Sequence, residues 1–269
     1  MYLERVSCVP RDAERATPVL FVHGAWHGAW CWSERFLPYF ACHGYLSHAF
    51  DLRGHGKSEG GHRLRRTSIA DYVADLDRVV RDMDTLPVLV GHSMGGAIVQ
   101  KYLETHQAAA VVLLATLPPS GALPAVLRFT ARHPLAVVKA NASMSPHHLI
   151  STPRRAREFF FSDDIPDERL RAYFSLLQHE SYRAFLDMLA PNPPRPKERQ
   201  IPVLVLGAER DTMVTRKEVE ATARAYGTEA TLFPMAHDMM LEDGWEDVAD
   251  HILQWLNGLD LSRRAATLP

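Results

Sequence analysis

The chain has 269 residues, 46% of them hydrophobic and 23% charged, with a formal net charge of -2. Such a make-up supports a substantial buried core, which argues against a disordered polymer, and its balanced charge offers no basic field for nucleic acid. The run containing Arg63, Arg65 and Arg66 is too short to change that.

In chain order, a buried strand is predicted over 18–23, a helix over 32–43 and a strand over 46–51. An amphipathic helix over 69–83 follows, with Ile69, Tyr72, Val73, Leu76, Val79, Val80 and Met83 on one face. Next come a strand over 87–91, a helix over 95–106 and an uninterrupted apolar strand over 109–115, which must be covered on both faces. The alternation then stops. Residues 117–200 are rich in Pro, Arg and His, show helical patches at 123–132, 154–161 and 168–189, and contain no central strand. The Pro-rich cluster at 191–196 ends any helix. Strand and helix resume over 203–207, 216–226, 230–234 and 245–256, and 262–269 reads as a frayed tail. The expected class is α/β: a mostly parallel central sheet flanked by helices, built from 1–116 and 201–261, with 117–200 as a helical cap insertion.

Three cysteines, Cys8, Cys31 and Cys42, cannot all pair, so a reducing compartment is expected. Glu4 and Arg5 stand where a signal peptide would need apolar residues, and the apolar run 108–115 is too short for a bilayer crossing. A cytoplasmic protein with no membrane partner is the expectation, as a monomer or a homodimer.

Gly91-His92-Ser93-Met94-Gly95 places a serine between small residues, directly after an apolar strand and before a helix. A turn this tight strains the serine backbone and lifts its hydroxyl above the sheet, while the helix N-terminus favours negative charge beside it. A serine hydroxyl needs a base, and the base needs an orienting acid. Of fourteen histidines, His237 follows the last strand and precedes the last helix, at the sheet's carboxyl edge. Asp211 lies just beyond the strand at 203–207; Glu209 is its nearest rival, and 116–157 contains no Asp or Glu that could replace it. Asp238 and Glu242 share the histidine's own loop and are poorly placed to orient it. After the first central strand, His23-Gly24-Ala25-Trp26-His27-Gly28-Ala29-Trp30 offers backbone donors for an oxyanion: the amide of Ala25 or Trp26, with that of Met94.

With Asp51-Leu52-Arg53-Gly54-His55-Gly56-Lys57-Ser58 added to these two motifs, the chain resembles the α/β-hydrolase superfamily along its whole length. The stretch 23–32 is similar to esterases related to plant methyl-ester hydrolases and hydroxynitrile lyases. The lyase branch alters the first small residue of the His-Gly stretch and adds a lysine near the base, whereas here His23-Gly24 is intact and Asp238-Met239-Met240 follows the histidine. Epoxide hydrolases and haloalkane dehalogenases carry aspartate at the nucleophile, where this chain has Ser93. The resemblance implies hydrolysis of a small-molecule carboxylic ester or lactone, N-acyl-homoserine lactones included, through an acyl-enzyme and without cofactor or metal. Trp26, His92, Phe129, Phe160 and Phe174 are the expected substrate contacts, although the cap's aromatic residues can equally form its own core. The open alternatives are a non-hydrolytic receptor on the same fold, and acyltransfer, perhydrolysis or carbon–carbon cleavage by the same triad.

Overall fold

Seven strands form one sheet in the computed structural model, which describes residues 1–11, 15–189, 195 and 201–261. They are β1 (Arg5–Cys8), β2 (Arg15–Val22), β3 (Tyr45–Phe50), β4 (Val88–His92), β5 (Ala110–Leu114), β6 (Val203–Ala208) and β7 (Ala230–Phe233), in the order β1-β3-β2-β4-β5-β6-β7. Only β1 runs antiparallel to its neighbour. This edge strand has four residues and no fully buried position, too little pattern for the sequence to announce it.

The strand order places the site. From β2 the chain steps outward to β3, then returns to the other side of β2 as β4 and continues outward through β7. The order therefore reverses between β2 and β4, and in a parallel sheet the crevice at the carboxyl ends of such strands is where ligands are held. The loop after β2 and the turn after β4 both open there.

Helices flank the sheet because its central strands are largely apolar and covered on both faces; every residue of β4 and β5 is buried. The single helix expected over 32–43 is two, α1 (Trp30–Ser33) and α2 (Phe36–Cys42). Their rings Trp32, Phe36 and Phe40 pack on Phe21 of β2 with centroids 4.9, 6.0 and 5.3 Å away. The next helix, α3 (Ile69–Arg81), begins at a reciprocal cap: the Asp71 amide donates to Ser68 Oγ at 3.1 Å and the Ser68 amide to Asp71 Oδ2 at 2.9 Å. It packs on α4 (Met94–Tyr102). Following β6 and β7 come α10 (Arg216–Ala225) and α11 (Trp245–Asn257).

Between β5 and β6 lie α5 (Leu123–Arg132), α6 (Pro134–Ala142), α7 (Pro153–Phe160), α8 (Asp167–Leu176) and α9 (Tyr182–Leu189), with no strand among the described residues. The start of α6 at Pro134 was not legible, since its apolar residues lack a one-sided spacing. The helix expected over 168–189 is interrupted at 177–181, where the backbone turns its donors to other partners: the Gln178 amide donates to Trp26 O at 2.8 Å and the Ser181 amide to Glu180 Oε1 at 2.6 Å. The Pro-rich cluster at 191–196, Arg195 apart, and the tail at 262–269 lie outside the described residues. No helix among those described is long and apolar enough to cross a membrane.

Candidate active site

Strand β4 passes into α4 through Ser93, whose backbone sits at φ 52 and ψ -117. For a residue with a side chain this conformation costs about 1–3 kcal/mol and persists only where the surroundings impose it. The neighbours do so by proximity: a Cβ at Gly95 would lie 2.2 Å from the Val22 carbonyl oxygen, and one at Gly91 would lie 2.7 Å from that of Gly95. Glycine at both positions lets strand, turn and helix approach closely enough to hold the serine up.

His237 comes from the loop between β7 and α11. Its Nδ1 lies 2.7 Å from Asp211 Oδ2, and the Asp211 side chain is completely buried beyond the end of β6. The other oxygen, Oδ1, accepts from the amides of Met213 at 2.7 Å and Val214 at 2.9 Å. With both carboxylate oxygens accepting, Nδ1 carries the proton and Nε2 is left as the basic nitrogen. Burial pulls the His237 pKa down, but the charge and hydrogen bond of Asp211, with the charge of Asp238, outweigh it and leave the pKa above the ordinary histidine value. Glu209, the sequence's rival for Asp211, is exposed.

His92, adjacent to Ser93, is a second imidazole here, and His27 a third. Burial and the neighbouring His237 push its pKa down to about 3, so it stays neutral. Its Nε2 donates to the His237 carbonyl oxygen at 3.0 Å, which fixes the loop that presents His237. Asp238, fully buried, accepts from His27 Nε2 at 2.9 Å. Burial works against its charge, but His27 and His92 hold its pKa below the usual carboxylate value. One ring nitrogen each of His92 and His237 and one carboxylate oxygen of Asp238 thus lie within 4.8 Å of one another, a grouping no spacing in the sequence revealed.

Ser93, His237, Ala25, Trp26, Met94 and His92 line a single cavity of about 60 Å³. Phe129 of α5 and Phe159 and Phe160 of α7 supply its wall, with Phe159 stacked edge-on to Trp26 at 5.3 Å and to Phe129 at 5.2 Å. Among the described residues no hydrogen bond joins Ser93 Oγ to His237. Two expectations need correction. Phe174 does not reach the cavity: Tyr173 is the inward residue of α8, stacked on Phe161 at 5.6 Å, and the next residue along a helix points about 100° away. The Trp26 amide is not free to receive an oxyanion either, because it donates to Glu180 Oε2 at 3.3 Å. That leaves Ala25 and Met94 as the candidate amides. Glu180, missed in the sequence, lies 154 positions from Trp26, and no local pattern could have joined them.

The sequence pattern of the alpha/beta hydrolase family matches residues 19–251. The chain belongs to that family. This α/β hydrolase is 26% identical over 208 residues to the pyrethroid hydrolase of Sphingobium wenxiniae, covering 74% of this chain and 72% of that one. It is 27% identical over 225 residues to the pFDCC methylesterase MES16 of Arabidopsis thaliana, covering 75% and 79%. In fold, the hydrolase is similar to an enol-lactonase from Burkholderia xenovorans, with a TM-score of 0.76 at 17% identity over 95% of this chain and 96% of that one.

Proposed function

We propose that this α/β hydrolase cleaves carboxylic esters or lactones through an acyl-enzyme formed on Ser93. One observation carries the reading: a serine on a strained turn shares an apolar cavity with a histidine whose far nitrogen is bound to a buried carboxylate. Relatives named as a hydrolase and a methylesterase support ester chemistry.

In this mechanism Ser93 Oγ attacks the acyl carbon while its proton passes to His237 Nε2. The carbonyl oxygen, now an anion, receives the amides of Ala25 and Met94. His237 then gives its proton to the departing alkoxide, which leaves as the alcohol. Water attacks the acyl-enzyme by the same route, returning the proton through His237 and releasing the acid. Proton transfer needs Ser93 and His237 to close on each other, a contact that commonly tightens only when substrate is bound. Asp211 keeps the imidazole oriented and stabilises its cation, and the helices at 117–189 act as the cap that selects the acyl group.

Two results follow from these assignments. Because His237 works as a neutral base and its pKa is raised, the acidic limb of kcat/KM is expected above pH 6.5, the ordinary histidine value. A pH–rate profile checks this, and a limb below that value would mean that Asp211 does not raise the His237 pKa. The apolar cavity of about 60 Å³ is well under the roughly 150 Å³ that takes up a benzene ring, so it has room for only a short acyl chain. Among p-nitrophenyl esters and acyl lactones, activity should therefore peak at short acyl groups, propanoyl or butanoyl. Ala125→Leu, which fills part of the same space, should shift the optimum to acetyl. An optimum at dodecanoyl in both proteins would reject this acyl site.

A further inference from the structure

We propose that Glu180 is a positioning residue for the oxyanion hole, acting through Trp26 to aim the Ala25 amide. The inference rests on the serine-hydrolase reading above and adds to it a link between the insertion and the rate of bond cleavage.

Trp26 has φ 65, a left-handed conformation that a bulky residue rarely adopts unless it is held there. Segment 178–181, which interrupts the helical run of the insertion, takes both backbone groups of Trp26: its amide donates to Glu180 Oε2 at 3.3 Å, and its carbonyl oxygen accepts from the Gln178 amide at 2.8 Å. The peptide unit joining Ala25 to Trp26 is pinned at its other end too, since the Ala25 carbonyl oxygen lies 2.8 Å from His27 Nδ1. A peptide unit is planar, so fixing its oxygen and its N–H fixes the plane. The Ala25 amide is one α-carbon away, and its direction follows from where that plane is set.

Glu180 is built to hold rather than to move. It is buried in the core, and its Oε1 accepts from the Tyr72 hydroxyl at 2.7 Å and from the Ser181 amide at 2.6 Å. Its Oε2 lies 3.2 Å from His55 Nε2. Burial alone would favour the neutral acid, but the contacts of His55, Ser181 and Tyr72 keep the carboxylate ionised. The imidazole of His55 is in turn held above its ordinary pKa: burial opposes this, and the charge of Glu180 prevails. An anion beside an oxyanion hole would by itself repel the developing charge. His55 Nε2, 3.2 Å from Oε2, and the Tyr72 and Ser181 donors on Oε1 offset that charge, so the contribution of Glu180 is one of geometry.

A residue that merely anchors the insertion would, when altered, lower stability or loosen substrate binding. A residue that aims an oxyanion donor acts only when the carbonyl oxygen is charged, so its loss lowers kcat and spares KM. The deciding experiment measures kcat, KM and thermal melting of Glu180→Gln on a p-nitrophenyl ester, beside wild type and Ser93→Ala. Removing an oxyanion donor outright costs about 100- to 1000-fold, so a misaimed one should lower kcat by about 10- to 100-fold with KM within about twofold. Affinity for a trifluoromethyl ketone, whose serine adduct places a charged oxygen in the hole, should fall by the same factor as kcat/KM. Wild-type kcat in a folded Glu180→Gln, or a raised KM at unchanged kcat, would overturn the proposal. Should that variant not fold, Tyr72→Phe removes one donor from Glu180 while keeping the ring; a several-fold loss of kcat at constant KM supports the proposal, and an unchanged kcat overturns it. Full turnover by Ser93→Ala is a different pattern, and it would overturn the underlying reading and this inference with it.

Discussion

Ser93→Ala is expected to lower kcat for ester hydrolysis by about a millionfold while leaving the melting temperature where it was. The two halves of the expectation have separate causes. The rate falls because the acyl-enzyme forms on the Ser93 hydroxyl: the adjacent His92 is bound through Nε2 to the His237 carbonyl, and direct attack by water would depend on the oxyanion amides alone. The fold stays because the turn is held by close backbone approach at Gly91 and Gly95 and by the Ser93 amide, which donates to the Leu114 carbonyl at 3.1 Å. Alanine keeps every one of these contacts, and the change should stay within about 0.5 kcal/mol. Steady-state turnover and a melting curve on the same preparation test both halves, and wild-type turnover would reject Ser93 as the nucleophile.

Asp211→Asn should cost about ten-thousandfold in kcat with the structure intact. Its carboxylate divides its work, Oδ1 accepting two loop amides and Oδ2 facing His237 Nδ1. In the asparagine the loop amides claim the oxygen, so the NH2 group is left facing the imidazole. Histidine can then accept at Nδ1 only by moving its proton to Nε2, the nitrogen that must take the proton from Ser93. A loss of less than about tenfold would mean that another carboxylate orients the base. Asp238 is such a group, with Oδ2 accepting from His27 Nε2 and Oδ1 3.7 Å from His92 Nε2.

The parts legible in the sequence were those whose chemistry forces a local pattern. Tight approach demands small residues on both sides of Ser93, and a covered strand demands the unbroken apolar run that became β5. Asp211 and His237 were found because each lies just past a recognisable strand, at the edge where the sheet delivers loops to one place. What escaped depends on contacts between distant stretches. The break between α8 and α9 has no proline or glycine to mark it; it exists because Gln178 and Glu180 are bonded to Trp26. For the same reason the choice between the Ala25 and Trp26 amides could not be made from a motif that contains both. Phe174 was misplaced because its helix carries an aromatic pair, Tyr173 and Phe174, and the spacing did not decide which of the two turned inward.

The strap at 178–181 bears on how such a protein could be re-engineered. An insertion bounded by two neighbouring strands invites transplantation, with a relative's helices grafted between β5 and β6 to import its substrate range. Here the graft would also carry off two backbone ties to Trp26 and the acceptor for Tyr72. A chimera that left behind Gln178, Glu180 and their turn would exchange recognition and bond-breaking speed together, so selectivity is better altered one cavity side chain at a time.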